Sequence, residues 1–313
     1  PSVVMMVFTS VYCVVDGFFV SNFAGKTAFA AINLIMPFIM ILGGIGFMIG
    51  TGGSALVSYT LGTGDKEKAN RYFSMLVYFT ILAGILLTVL GIIFVRPIAE
   101  LFGADESMMD TCVLYGRIVI AFNAAFMLQN IFQSFFVVAE KPRLGLIVTI
   151  AAGVTNMVLD ALFVGVFKWG TVGAALATGI SQSIGGLLPL LYFALPNNSP
   201  LQLTRTGFEL APLLKASSNG CSELMSNVAS SLIGIVYNYQ LMRLGGENAV
   251  ATYGVLMYIQ FVFIAIFIGY SVGSAPIIGY HYGAGNFKEL QNMRRKSLKI
   301  MSISGVLMAI LGF

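Results

Sequence analysis

Nine apolar runs, separated by short polar breaks, make up almost all of this 313-residue chain. They cover residues 1–24, 27–60, 72–95, 107–139, 143–167, 170–195, 212–243, 247–283 and 297–313. About 20 consecutive apolar residues cross the ~30 Å hydrocarbon core of a bilayer as a helix, so each run predicts a membrane-spanning helix. The uncharged stretch Thr27–Gly64 is too long for one crossing at ~1.5 Å per residue. Its second half, GTGGSALVSYTLGTG, is rich in small and hydroxyl residues. That half is expected to pack closely against neighbours and to leave the bilayer on one side.

Composition closes off other classes. The chain is 58% hydrophobic and 10% charged, with a mean hydropathy of +0.89. A soluble globule has to cover itself with polar groups, so the expected fold class is an all-α polytopic membrane protein. Cys13, Cys112 and Cys221 are far apart and lack any CxxC spacing, and His281 is the single histidine, so neither a disulfide framework nor a metal cluster is indicated. The chain opens inside one apolar run and closes inside another, which is expected of a segment cut from a longer protein.

Charge orients the helices. Of the 17 Lys and Arg residues, twelve fall in one alternating set of loops, at 65–71, 140–143, 205–215 and 288–299. The other set holds only Lys26, Arg96, Arg117, Lys168 and Arg243. By the positive-inside rule the first set is cytoplasmic, and so is the N-terminal side of the first span. The expected location is the inner (cytoplasmic) membrane, with the acidic segment ELFGADESMMD outside.

The chain also repeats itself. A shift of 221 residues carries Gly25, Ala28, Ala30 and Met36 onto Gly246, Ala249, Ala251 and Met257. The same shift carries Gly52, Tyr59, Gly62 and Gly64 onto Gly273, Tyr280, Gly283 and Gly285. A repeat of six spans enters the membrane twice from the same side, which makes it parallel. The expected organisation is a six-helix N-terminal lobe at 1–196, a proline-bearing cytoplasmic linker at 197–211, and the first three helices of a C-terminal lobe at 212–313.

Against this background the ionisable residues inside spans stand out, because a charge in lipid is costly and faces protein or water. Asp16 in span one, Asp160 in span five and Thr178 in span six each lie about two turns, roughly 10 Å, below the outer surface. Asn156 and Tyr12 sit one turn from Asp160 and Asp16 on the same helical faces. These five residues are expected to converge on one cavity. Oxygen ligands of this kind suit a hard cation such as Na⁺, or a proton. Two carboxylates brought close in low dielectric resist ionising together, so such a pair can take up and release a proton. The alternative is that each acid pairs with a different neighbour. Glu223 in span seven is a third intramembrane acid, serving either the second lobe or an aqueous vestibule. Pro37, Pro189 and Pro276 fall inside spans, as kinks or plain packing features. The glycine groups at 43–46 and 50–53 follow no strand, so they read as helix contacts rather than phosphate loops.

The run PSVVMMVFTSVYCVVDGFFV, the block GTGGSALVSYTLGTGDKEKAN with its degenerate copy GSAPIIGYHYGAGNFKEL, and the N-x-x-x-D of span five resemble the MATE (multidrug and toxic compound extrusion) transporters. The likeness covers the whole chain and is nearest the bacterial MepA-like branch. It implies twelve spans in two lobes, of which the last three are absent here. By the same likeness Asp16, Asn156, Asp160 and Thr178 match the family's N-lobe cation site, for Na⁺ or H⁺. Pro1 matches the span-one proline whose bending is linked to protonation, which places the start of that span before this sequence. Glu223 has a less fixed counterpart. The implied function is export of cationic, lipophilic compounds in exchange for H⁺ or Na⁺ by alternating access, with no cofactor, nucleic acid or obligate protein partner. A lipid-linked oligosaccharide flippase of the same superfamily is the alternative; it would carry buried basic residues for pyrophosphate, whereas the buried groups here are acids. An enzyme would need a nucleophile–base pair or metal cluster, and neither is present in the sequence.

Overall fold

In lipid every backbone N–H and C=O has to be satisfied within its own segment, so apolar runs become helices. The computed structural model describes residues 1–104 and 106–312. Asp105 of the acidic segment and Phe313 at the end of the last run lie outside them. Helix α1 (Ser2–Phe19) continues into a π-helical turn, Val20–Ala24. Then follow α2 (Lys26–Gly62), α3 (Lys66–Leu101), α4 (Glu106–Ala121) and α5 (Asn123–Val138). Helix α6 (Pro142–Asp160) runs into a second π-helical turn, Ala161–Val166. The chain closes with α7 (Gly170–Ala194), α8 (Leu210–Gly283) and α9 (Phe287–Gly312). Among the described residues, six helices are long and apolar enough to cross a membrane, or seven if the bent pair of α4 and α5 is counted as one span. The chain is a multi-pass membrane protein. The expected spans 212–243 and 297–313 lie within α8 and α9 and are not among these seven.

The surface is inside-out relative to a soluble bundle. On α3, Leu82, Ile85, Leu86, Val89 and Ile93 recur at helical spacing and are all exposed. A patch of that extent on a soluble monomer would be an aggregation site; here it faces lipid. The polar side chains Asn123, Gln129, Asn130 and Gln133 are instead buried on α5. The α4–α5 bend of 53° falls at Phe122, whose φ of −97° and ψ of 7° step out of the helix. The Phe122 ring packs where a side chain at Gly179 would otherwise stand, so a glycine on α7 makes room for the bend.

Expected spans seven and eight follow one another without a non-helical segment, since α8 is helical over all 74 residues from Leu210 to Gly283. A straight helix of that length would reach about 110 Å, far beyond a bilayer. Helix α8 doubles back instead: Tyr237 stacks on Tyr253 with ring centroids 5.4 Å apart. Both of its ends then lie on α2, Gly220 against the Met48 carbonyl and Gly283 against the Tyr59 carbonyl. The surroundings of Gly246, Ala249 and Ala251, three of the repeat positions, lie outside those described. The turns after α2 and α8 do share their chemistry. Gly64 and Gly285 have φ of 87° and 67°, which a side chain would strain. Asp65 then accepts from the Lys68 N–H at 3.0 Å, and Asn286 accepts from the Glu289 N–H at 3.2 Å.

Residues 197–209 are not a free tether. Gln202 N–H donates to Asn70 Oδ1 at 2.9 Å, Thr204 N–H donates to Ser74 Oγ at 2.8 Å, and Leu203 N–H donates to the Phe193 carbonyl at 2.9 Å. Leu201 is fully buried with Phe193, whose ring contacts Phe73, Phe132, Phe136 and Tyr192 at 5.0–5.6 Å. Phe193→Ala would empty this cluster and is expected to cost about 3–5 kcal/mol. A thermal scan of the detergent-solubilised protein would show it as a lowered midpoint. Val89→Ala, on the lipid face, should leave the midpoint in place. Equal shifts for the two would deny Phe193 its central place.

Candidate functional site

Two helices with glycine between them bring the acids together. Gly153 on α6 faces the rings of Phe8 and Tyr12 on α1, and a Cβ there would stand 2.8 Å from Tyr12 Cδ1. With that approach allowed, the Asp16 and Asp160 carboxyls lie next to one another. Asp160 is fully buried, Asn156 one turn before it is 2% exposed, and Asp16 is half-buried. Each acid lies next to a π-helical turn: Asp160 immediately precedes Ala161, and Asp16 stands four residues before Val20. Such widened turns recur at functional sites, because they leave backbone groups out of the regular ladder.

The site is rich in unsatisfied oxygen. Asp16 Oδ1, both Asp160 oxygens and Asn156 Oδ1 are buried and meet no hydrogen-bond donor. Among the described residues no Lys or Arg pairs with either acid; the ion pair that does form is Arg96–Glu100, far along α3. Two buried carboxylates with no counter-charge are costly, and a proton shared between them or a hard cation held by their oxygens removes that cost. The oxygens of Asp16, Asp160 and Asn156 are hard donors that suit either ion, with the Cys13 thiol nearby on α1.

The other predicted residues are placed less centrally. Tyr12 lies beside Asp16 and reaches Gln129 on α5. Thr178 on α7 is half-buried and its carbonyl accepts from Ser181 Oγ at 2.8 Å. Among the described residues no hydrogen bond joins Thr178 or Asn156 to either carboxyl. Glu223 on α8 is half-buried, makes no ion pair among the described residues, and its carbonyl accepts from Asn227 Nδ2 at 2.9 Å. Pro1 stands at the N-terminal cap of α1, its carbonyl accepting from the Met5 N–H at 2.8 Å.

Two residues escaped the reading of the sequence. Tyr115 on α4 is 1% exposed and lies close to both carboxyls. Gln129, 6% exposed, closes the Tyr12 side of the site. The depth rule that selected the acids applies equally to span four, where Tyr115 lies about two turns from the outer end, so the signal was available. Gln129 had no such signal, since it sits deeper and depends on which face of α5 turns inward.

The MatE family model matches residues 1–162 and 224–313 of this chain. The chain is 24% identical over 306 residues to the multidrug export protein MepA of Staphylococcus haemolyticus, covering 97% of this chain and 66% of that protein. It is 25% identical over 298 residues to the protein of the same name from Staphylococcus aureus strain N315, covering 93% of this chain and 65% of that one. It therefore spans about two thirds of the length of the curated relatives it matches. An outward-facing multidrug resistance MATE family transporter superposes with a TM-score of 0.89 at 21% identity, covering 97% of this chain and 68% of that one. A MOP superfamily transporter from Pyrococcus furiosus superposes at 0.88 with 22% identity, over 97% and 68%.

Proposed function

We propose, from the premise that this chain belongs to the MatE family, that it serves as an ion-coupled exporter of cationic or lipophilic small molecules. The buried Asp16–Asp160 pair carries this reading. The carboxyls take H⁺ or Na⁺ from the outer side, with Asn156, Thr178 and Tyr12 as neutral neighbours. Occupancy drives transport only if it favours one access state over the other, since equal binding to both shifts nothing. The reading includes a bacterial inner membrane, a cytoplasmic N-terminal side and the division into 1–196, 197–211 and 212–313. It also includes Pro1 as a point where α1 bends as the pair changes occupancy.

The test uses proteoliposomes loaded with a fluorescent lipophilic cation, across which a pH or Na⁺ gradient is imposed. Export should follow one of the two gradients and stop when that gradient is collapsed. Equal efflux with and without both gradients would refute ion coupling.

Glu223 enters as a cavity acid for the cationic substrate. Its half-burial, with no basic partner among the described residues, supports this role. Glu223→Gln should weaken binding of a lipophilic cation by about tenfold, the worth of one hydrogen bond to a charged group. Fluorescence titration of the purified variant measures it, and an unchanged affinity would return Glu223 to a structural role.

A further inference from the structure

A cavity of about 370 Å³ opens on the face that carries the basic loops, between the α2–α3 turn and the start of α8. Its size falls within the range of small-molecule sites, roughly 300–1,000 Å³. Two lysines line it from opposite walls, Lys68 from α3 and Lys215 from α8. Neither makes an ion pair among the described residues, although Asp65 and Glu209 line the same cavity. Lys68 Nζ lies 5.8 Å from the centroid of the Tyr72 ring, and Lys215 Nζ lies 5.6 Å from that of Tyr59. Asp65 is occupied in capping α3, where its Oδ1 accepts from the Lys68 N–H. Both ammonium groups therefore rest on ring faces with N–H donors still unused.

The surroundings say what kind of anion fits. Tyr59 and Tyr72 line it beside the two lysines, Leu56 and Pro212 add apolar lining, and the Thr60 and Thr63 hydroxyls are spent on the Leu56 and Thr60 carbonyls. Beside it Phe208, Leu210 and Leu214 expose large apolar side chains. A ligand with an anionic head and an apolar tail matches this combination. Basic pockets between membrane helices on the cytoplasmic side hold lipid phosphates by the same chemistry.

We infer that this cavity binds a phosphate group carried by an anionic phospholipid headgroup, held between Lys68 and Lys215. A phosphate there ties the start of α8 to the α2–α3 turn. That is the side on which Tyr59 already meets Tyr282 at 5.9 Å. A bound headgroup thus strengthens closure of this face. This site is separate from the acid pair and adds lipid dependence to whatever the pair does.

The test is native mass spectrometry of the purified chain titrated with phosphatidylglycerol or phosphatidylcholine. Phosphatidylglycerol should be retained more tightly. The double variant Lys68→Gln with Lys215→Gln should weaken that retention by about thirtyfold, from two lysines each acting on one anionic head. Both positions are exposed, so folding is not at risk, and an unchanged thermal midpoint in phosphatidylcholine checks this. Inorganic phosphate, at matched ionic strength, supplies the head without the tail. If it raises the midpoint of the natural chain and not of the variant, free phosphate is an occupant too. Equal retention of the two lipids, or equal phosphatidylglycerol retention by variant and natural chain, would overturn the assignment. Because no transport is read, such a failure would leave the export proposal standing.

Discussion

Asparagine in place of Asp160 is expected to reduce gradient-driven export to background while leaving a folded protein in the membrane. Asp160 is fully buried and both of its oxygens lack a donor. Asparagine keeps the shape and removes one of the two titrating groups, so position 160 stays neutral in both access states and the pair can no longer share a proton. A ligand with equal affinity for two states moves neither, and the driving ion would then no longer bias the cycle. Asp16→Asn should do the same, because the two carboxyls act as one unit. Stability should move the other way. Removing a charge from an uncompensated buried pair relieves a desolvation cost, so the thermal midpoint of Asp160→Asn should hold or rise. That separates loss of coupling from loss of folding. Thr178→Ala should slow export only a few-fold, since it deletes a half-buried neutral neighbour. Full export by both asparagine variants would remove the acid pair from the mechanism.

Leucine at Gly52 should part α2 from α8. A Cβ at Gly52 would run into the Ala216 carbonyl, and one at Gly220 into the Met48 carbonyl. These are backbone atoms, which cannot swing aside as a side-chain end can. In lipid, where burial of apolar surface drives little, such close backbone contact is what holds helices together. Overpacking typically costs about 1–3 kcal/mol, and a helix pair that must separate pays the upper end or more. The reporter is a disulfide between Ser58→Cys and Gly279→Cys, positions that touch where the returning arm of α8 meets α2, with Cys13, Cys112 and Cys221 replaced by serine. Cross-linking should be efficient without the leucine and drop at least about tenfold with it. Gly305→Ala on α9 is the control. A Cβ there meets nothing within 4 Å, and the helix should gain up to about 1 kcal/mol. Undiminished cross-linking in the Gly52→Leu background would mean that the seam does not hold α8.

Some of this was written along the chain itself. Hydropathy located the apolar helices, because lipid makes each segment satisfy its own backbone and so ties helix formation to local composition. It also put Asp16 and Asp160 at one depth, because rise per residue turns sequence position into height. Azimuth and partner are different quantities. Where the two arms of α8 pack depends on glycine contacts with Met48 and Tyr59, more than 170 residues away. The bend at Phe122 depends on space left by Gly179. The residues 197–209 look like a tether by composition, yet Asn70 and Ser74 pin them along α3. The sequence alone therefore determined that this chain is a stack of membrane helices with two acids at a common height. Only the tertiary structure decided that the acids face each other, that Tyr115 and Gln129 join them, and which surfaces of α2 and α8 meet. The physical reason is that a helix carries its own height in its rise per residue, while the direction in which a side chain points becomes a contact only once a second helix is in place.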